Sequence, residues 1–193
     1  MAVDERGKYK EVLVTEFTDA SARKFREDFL SEARDSKNPI IVWIGSGGGH
    51  VDALAVMVET IESVPNKVIT AYVGVAASCG ATLLSFGDER YIGKYSRAMV
   101  HGMSSNHGRV STLELFTDAE EDLRVENFWL GQLAQNCNVE GGLAALRQKI
   151  KDGDGKIWFD AEKAVAFGLA DYIGTPQIKL QNSHSDGVEQ CEK

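Results

Sequence analysis

Cysteine, proline and positive charge are all scarce in this chain. Its 193 residues hold three cysteines, Cys79, Cys137 and Cys191, with no paired or metal-ligand spacing. That pattern argues against a disulfide scaffold or a zinc module and predicts reduced thiols in a cytoplasmic compartment. Three prolines leave no Pro-rich stretch to mark a linker between domains. Lysine and arginine number 21 against 29 acidic residues, a net charge of −8, and no basic run offsets it. A nucleic-acid partner is not expected. No apolar run approaches the roughly 18 residues that span a bilayer, so no membrane association is expected. The opening "MAVDERGKYK" is polar and does not resemble a signal peptide.

What is present is an alternation of strand and helix signals. "KEVLVTEF" reads as a first strand, and "DASARKFREDFLSEARDS" as a helix with Asp19 or Ser21 as cap. "NPIIVWIGS" is a short β-rich apolar run, expected as a strand buried on both faces. "GGG" breaks the chain before the helix "HVDALAVMVETIESV". "NKVITAYVGV" reads as one strand, "SCGATLLSFG" as a short helix, and "DERYIGKYSRAMVHG" as one or two strands. Apolar residues at helical intervals predict a helix of about 25 residues from Ser111 to Gln135. Its mixed surface suggests packing against another subunit. A shorter helix is expected over Gly142–Ile150, then a "DGDGK" turn, then a final helix capped by Asp160. The fold class is therefore α/β, with mainly parallel strands in one domain over residues 1–178. Residues 179–193 are expected to be a flexible tail.

Ser78 lies at the step from the strand "KVITAYVGV" into the helix "SCGATLLSF". Locally, it has the sequence character of a helix cap. Three features point to chemistry instead. Small residues crowd it: Gly74, Ala76, Ala77, Gly80 and Ala81. "GSGGGHV" ends the preceding strand, and its N–H groups could hold an oxyanion, or equally a phosphate. "SRAMVHG" ends a later strand with His101. Parallel strands put their C-terminal ends along one edge, so these three segments should meet. A Ser–His pair there is an acyl-transfer site. It is not the G-x-S-x-G elbow, because position 76 is Ala.

"GVAASCGATLL" followed by "SRAMVHG" resembles the Clp protease proteolytic subunit family (ClpP), including its phage-encoded members. "IVWIGSGGGHVDAL" and "WFDAEKAVAFGLAD" are similar to two further segments of that family, and the matching runs in order over roughly residues 10–175. The resemblance implies the ClpP/crotonase-like fold, with right-handed ββα units and a protruding "handle" helix. It implies Ser78 as nucleophile and His101 as general base. The N–H groups of Gly48 and Cys79, with Gly49 adjacent, match the oxyanion hole. No metal or organic cofactor is implied. Polypeptide substrates and self-assembly into homo-oligomeric rings are.

Three departures stand out. The family's proline in the glycine turn is Gly47, and its usual methionine after the serine is Cys79. Cys79 as nucleophile is a rival reading, but one step along a helix points about 100° away. The family's acid position falls on Lys156, so Asp154 is expected as third member if the loop shifts, with Asp152 or a Ser–Lys pair using Lys156 as alternatives. A backbone carbonyl could also orient the histidine, and both aspartates suit a simple turn. The segment before the first strand is short, which leaves an AAA+ unfoldase partner undecided. Two other classes compete: an inactive ring subunit, which Lys156 favours, and a crotonase-like acyl-CoA enzyme. His50, His107 and His184 read as surface groups, and Trp43, Trp129 and Trp158 as core or subunit-contact aromatics.

Overall fold

A computed structural model describes residues 9–176. The expectations for the first eight residues, the 179–193 tail, His184 and Cys191 lie outside the described residues. Strand β1 (Lys10–Val14) is followed by helix α1 (Asp19–Asp35), strand β2 (Ile40–Ile44) and helix α2 (Val51–Glu62). Strands β3 (Val68–Tyr72) and β4 (Val75–Ala77) lead into the short helix α3 (Cys79–Leu84). Strands β5 (Glu89–Ile92) and β6 (Arg97–His101) precede the long helix α4 (Thr112–Asn136) and helix α5 (Gly142–Asp152). Strand β7 (Lys156–Phe159), helix α6 (Ala161–Phe167) and strand β8 (Tyr172–Ile173) complete the order.

The first helix is capped by Thr18, one residue before Asp19 and three before Ser21, the two expected positions. Thr18 accepts from the N–H of Ser21, and Ser21 returns the bond to the Thr18 N–H, a reciprocal capping box. Ser111 caps α4 in the same way with Glu114, and Asp160 caps α6 as the sequence predicts. Five strands form one parallel sheet in the order β1-β2-β3-β5-β8. β2 is the continuous apolar run of the sequence, and Ile40, Ile41, Val42 and Ile44 are wholly buried. The core closes around them with Phe29, Leu54, Met57, Leu83 and Leu133.

Two features differ from the sequence reading. "NKVITAYVGV" is not one strand: Gly74, at φ +89°, turns the chain between β3 and β4. β4 then leaves the main sheet and pairs with β6 in a second sheet, β4-β6-β7. The split matters because it carries Ser78 out of the five-stranded sheet toward His101. β7 and β8 were also not anticipated. β7 is antiparallel to β6, the one antiparallel pair among the described strands. Only the last turns of α4 bury side chains, through Leu130, Leu133 and Ala134. Its first turns leave Leu113 and Phe116 77% and 68% exposed, as a projecting handle would.

Candidate active site

Three chain segments meet at the C-terminal ends of β2, β4 and β6. Backbone hydrogen bonds lace them together. Ala77 N–H donates to Ser46 O at 3.0 Å, tying the glycine turn to the end of β4. Ser78 N–H donates to Met99 O at 2.8 Å, tying the serine to β6. The turn needs glycine at two positions. Gly49, at φ +152°, packs so closely that an added Cβ would lie 2.3 Å from Phe17 O. Gly48, at φ +104°, would put a Cβ 2.7 Å from Ser78 Cβ.

Ser78 holds a strained backbone, φ 58° and ψ −123°. A non-glycine residue at such angles costs about 1–3 kcal/mol, which surrounding structure must offset. Its side chain does not cap α3. Capping the helix is therefore not what this side chain does. Its backbone instead turns the chain sharply from strand to helix. A cleft of about 340 Å3 opens here, lined by Gly49, Ser78, Cys79, His101, Glu126 and Trp129 among others. The sequence expectation that the glycine turn, Ser78 and His101 share one edge describes this placement.

His101 is half-buried at the end of β6. Burial is the main influence lowering its pKa, the Lys156 cation adds to this, and the Glu126 carboxylate opposes both. A lowered imidazole pKa keeps the ring neutral at pH 7, the state in which it can accept a proton. Cys79 is buried, its Sγ donating to Gly49 O at 3.3 Å. Burial pushes its thiol pKa up, so it is a poor nucleophile near neutral pH.

The oxyanion and acid candidates stand in different surroundings, with Gly48 packed directly against Ser78. Gly48 N–H already donates to Ser46 Oγ at 3.1 Å, and Gly49, not Gly48, lines the cleft with Cys79. Cys79 is the first residue of α3, where a backbone N–H has no intrahelical acceptor. Asp154 is held at φ 55° in the turn between α5 and β7 and is exposed. Asp152 accepts from Gln148 at the end of α5. Neither lines the cleft. The physical reason lies in the register: β7 begins at Lys156, which stands directly opposite His101, so the preceding turn runs on past the histidine.

Three carboxylates do line the cleft, Asp52, Asp122 and Glu126, none of them selected by the sequence reading; Glu126 of α4 is the one that also accepts the backbone N–H two residues beyond His101. One signal was available. Glu126 precedes the buried Leu130 and Leu133 by four and seven residues, so an acid occupies the inward stripe of the helix. His107 also differs from its expectation as a surface group. Its Nε2 lies 2.9 Å from Asp122 and its Nδ1 3.5 Å from Asp118, fastening the loop after β6 to α4.

Comparison with known proteins identifies the family. The family model described as Clp protease matches residues 8–177. ATP-dependent Clp protease proteolytic subunit 3 of Rhodococcus jostii is 32% identical over 177 residues, covering 90% of this chain and 85% of that protein. Proteolytic subunit 1 of Leifsonia xyli is 32% identical, covering 75% of this chain and 71% of its own length. Proteolytic subunit 2 of Tropheryma whipplei is 31% identical, with 76% and 79% covered. A match across the strands that carry Ser78 and His101, together with the fold, leads to one conclusion: this chain belongs to the Clp protease family of serine-type endopeptidases.

Proposed function

We propose that the protein hydrolyses peptide bonds in unfolded polypeptides through Ser78 and His101. The observation that carries this is the strained, non-capping Ser78 in the cleft that His101 also lines. Ser78 Oγ attacks the scissile carbonyl and its proton passes to His101. The N–H groups of Gly49 and Cys79 receive the oxyanion of the tetrahedral intermediate. His101 returns the proton to the leaving amine, and water then releases the acyl group from Ser78. The substrate lies extended beside the glycine turn, bonded through its main chain. Copies of the chain assemble into rings through the exposed apolar face of α4, where Leu113, Phe116, Leu123 and Phe128 lack cover in the single chain. An ATPase that unfolds and feeds substrates is the corresponding partner, in keeping with the ATP-dependent names of the relatives.

A second reading has its own support. Lys156 stands where the family pattern puts an acid, and among the described residues no carboxylate is hydrogen-bonded to the His101 ring. A catalytically silent ring subunit fits that arrangement. Labelling with a fluorophosphonate probe, followed by intact mass and peptide mapping, separates the two. Stoichiometric modification of Ser78, lost in both Ser78→Ala and His101→Ala, supports the peptidase. No modification of well-folded, assembled protein makes the silent subunit the better reading.

A further inference from the structure

The position opposite His101 sets an electrostatic problem. Directly opposed residues of an antiparallel pair project from the same face, with Cβ atoms about 4.5–5.5 Å apart. Lys156 therefore presents a cation toward the imidazolium that forms when His101 accepts a proton. A like charge so placed disfavours the protonated ring, and an anion nearby offsets it.

Glu126 is built into that corner. It lines the same cleft as Ser78 and His101. Its Oε2 accepts the N–H of Met103 at 2.7 Å, two residues beyond the histidine. The same oxygen would lie 2.8 Å from a Cβ at position 102, so Gly102 is what lets the carboxylate close against this backbone. Its Oε1 accepts from the Arg147 guanidinium of α5. The side chain is only 18% exposed, which leaves its field weakly screened.

We infer that Glu126 is a positioning residue for His101: it pins the backbone just after the histidine and supplies the negative charge that offsets Lys156. The inference rests on the peptidase reading and provides that site with an acid from α4 in place of one from β7. Its sign is clear. A carboxylate beside His101 favours the imidazolium, against burial and Lys156, which both disfavour it. The other ionisable groups facing the ring across the cleft are Asp122 of α4, His50 and Asp52 at the start of α2, and the Cys79 thiol. Arg147 acts on the ring through its pairing with Glu126.

The test is the pH dependence of fluorophosphonate labelling of Ser78 in the intact, assembled protein. Glu126→Gln keeps the size and an oxygen for the Met103 N–H but removes the charge. Its midpoint should move to lower pH and its plateau rate should fall about tenfold, the effect of one modest electrostatic contact. Glu126→Asp keeps the charge and should lie between it and the wild type. Arg147→Gln unmasks the carboxylate and should move the midpoint to higher pH. Opposite shifts from the two partners of one ion pair cannot come from general loosening of the fold. Wild-type behaviour of Glu126→Gln in both midpoint and plateau overturns the inference, as do shifts of the same sign in both Gln variants. If Glu126→Gln does not fold, an unmoved midpoint in Arg147→Gln overturns it. If the wild type is not labelled, the peptidase reading has failed separately. Titration of the His101 ring by NMR in wild type and Arg147→Gln then decides: an upward shift supports the contact, and no shift overturns it.

Discussion

Gly48→Ala should damage the nucleophile more than the fold. The added methyl meets Ser78 Cβ at 2.7 Å, Ala77 O at 3.0 Å and Ser78 Oγ at 3.1 Å. Ordinary carbon–carbon contact begins near 3.5 Å, so Ser78 must retreat by the better part of an ångström. Two costs follow. An L-residue at φ +104° is strained by about 1–3 kcal/mol. Crowding of a packed position adds about 1–3 kcal/mol. Together these take about 2–6 kcal/mol from a typical domain stability of about 5–15 kcal/mol. The variant should fold, with Tm lowered by about 4–24 °C at roughly 2–4 °C per kcal/mol. Catalytic groups displaced by about 1 Å lose about 100-fold in rate, so Ser78 labelling should slow about 10–100-fold. Gly47→Ala is the control. Nothing lies within 4 Å of a Cβ there, and its φ is not in the left-handed region. It should label like wild type and be neutral or more stable by about 0.4–1 kcal/mol. Labelling rates and thermal unfolding on both variants settle the matter. Wild-type labelling by Gly48→Ala, or equal losses in the two variants, refutes the argument.

Three further outcomes are expected. Cys79→Ala should label at Ser78 near the wild-type rate, because only the backbone N–H of residue 79 is assigned a role; a loss like that of Ser78→Ala would make the thiol the nucleophile. Phe29→Ala removes a fully buried ring stacked on Phe25 at a centroid distance of 5.3 Å. It should cost about 3–5 kcal/mol in urea unfolding, and a loss below about 1 kcal/mol would contradict the packing. Arg90 bonds Asp171 and the carbonyls of Asn136 and Gly168. Burial pushes the Asp171 carboxyl pKa up, but pairing with Arg90 more than offsets this and leaves it below the ordinary value. Such a depressed carboxylate stabilises the fold above its unfolded pKa and loses that contribution as pH falls through the folded one. Arg90→Met should therefore cost stability at pH 7 and less at acid pH, below the ordinary carboxylate range. Equal urea-midpoint differences at pH 7 and pH 3 would refute this.

Local chemistry made much of the fold legible. The run "PIIVWI" could only be a doubly buried strand, and the amphipathic spacing of "ARKFREDFLSEA" only a helix with one buried face. Alternation of the two implied the parallel sheet. Glycines at a strand end, a crowded serine at the next and a histidine at a third marked out the site, because parallel strands align their C-terminal ends. The short strands were harder to read. β7 has four residues and β8 two, too few for a periodic signal, and both exist because a neighbouring strand edge was free to bond them. The break at Gly74 was hidden in an unbroken apolar run.

Ser78 and His101 could be named from sequence because each is fixed by the strand end that carries it. Which acid comes near them could not. Asp154 is close to the family's position along the chain, yet the register places Lys156, not Asp154, across from His101. Glu126 is 25 residues past the histidine and returns to its neighbourhood only through the tertiary contact of α4 with the chain just after β6. The hydrogen bond from the Gly48 N–H to Ser46 Oγ was likewise invisible before the turn had its tertiary shape. Sequence determines what is set by a residue's own backbone and its burial pattern. Charges and hydrogen-bond donors act through space at a few ångströms, so tertiary structure alone decides which of them share a site.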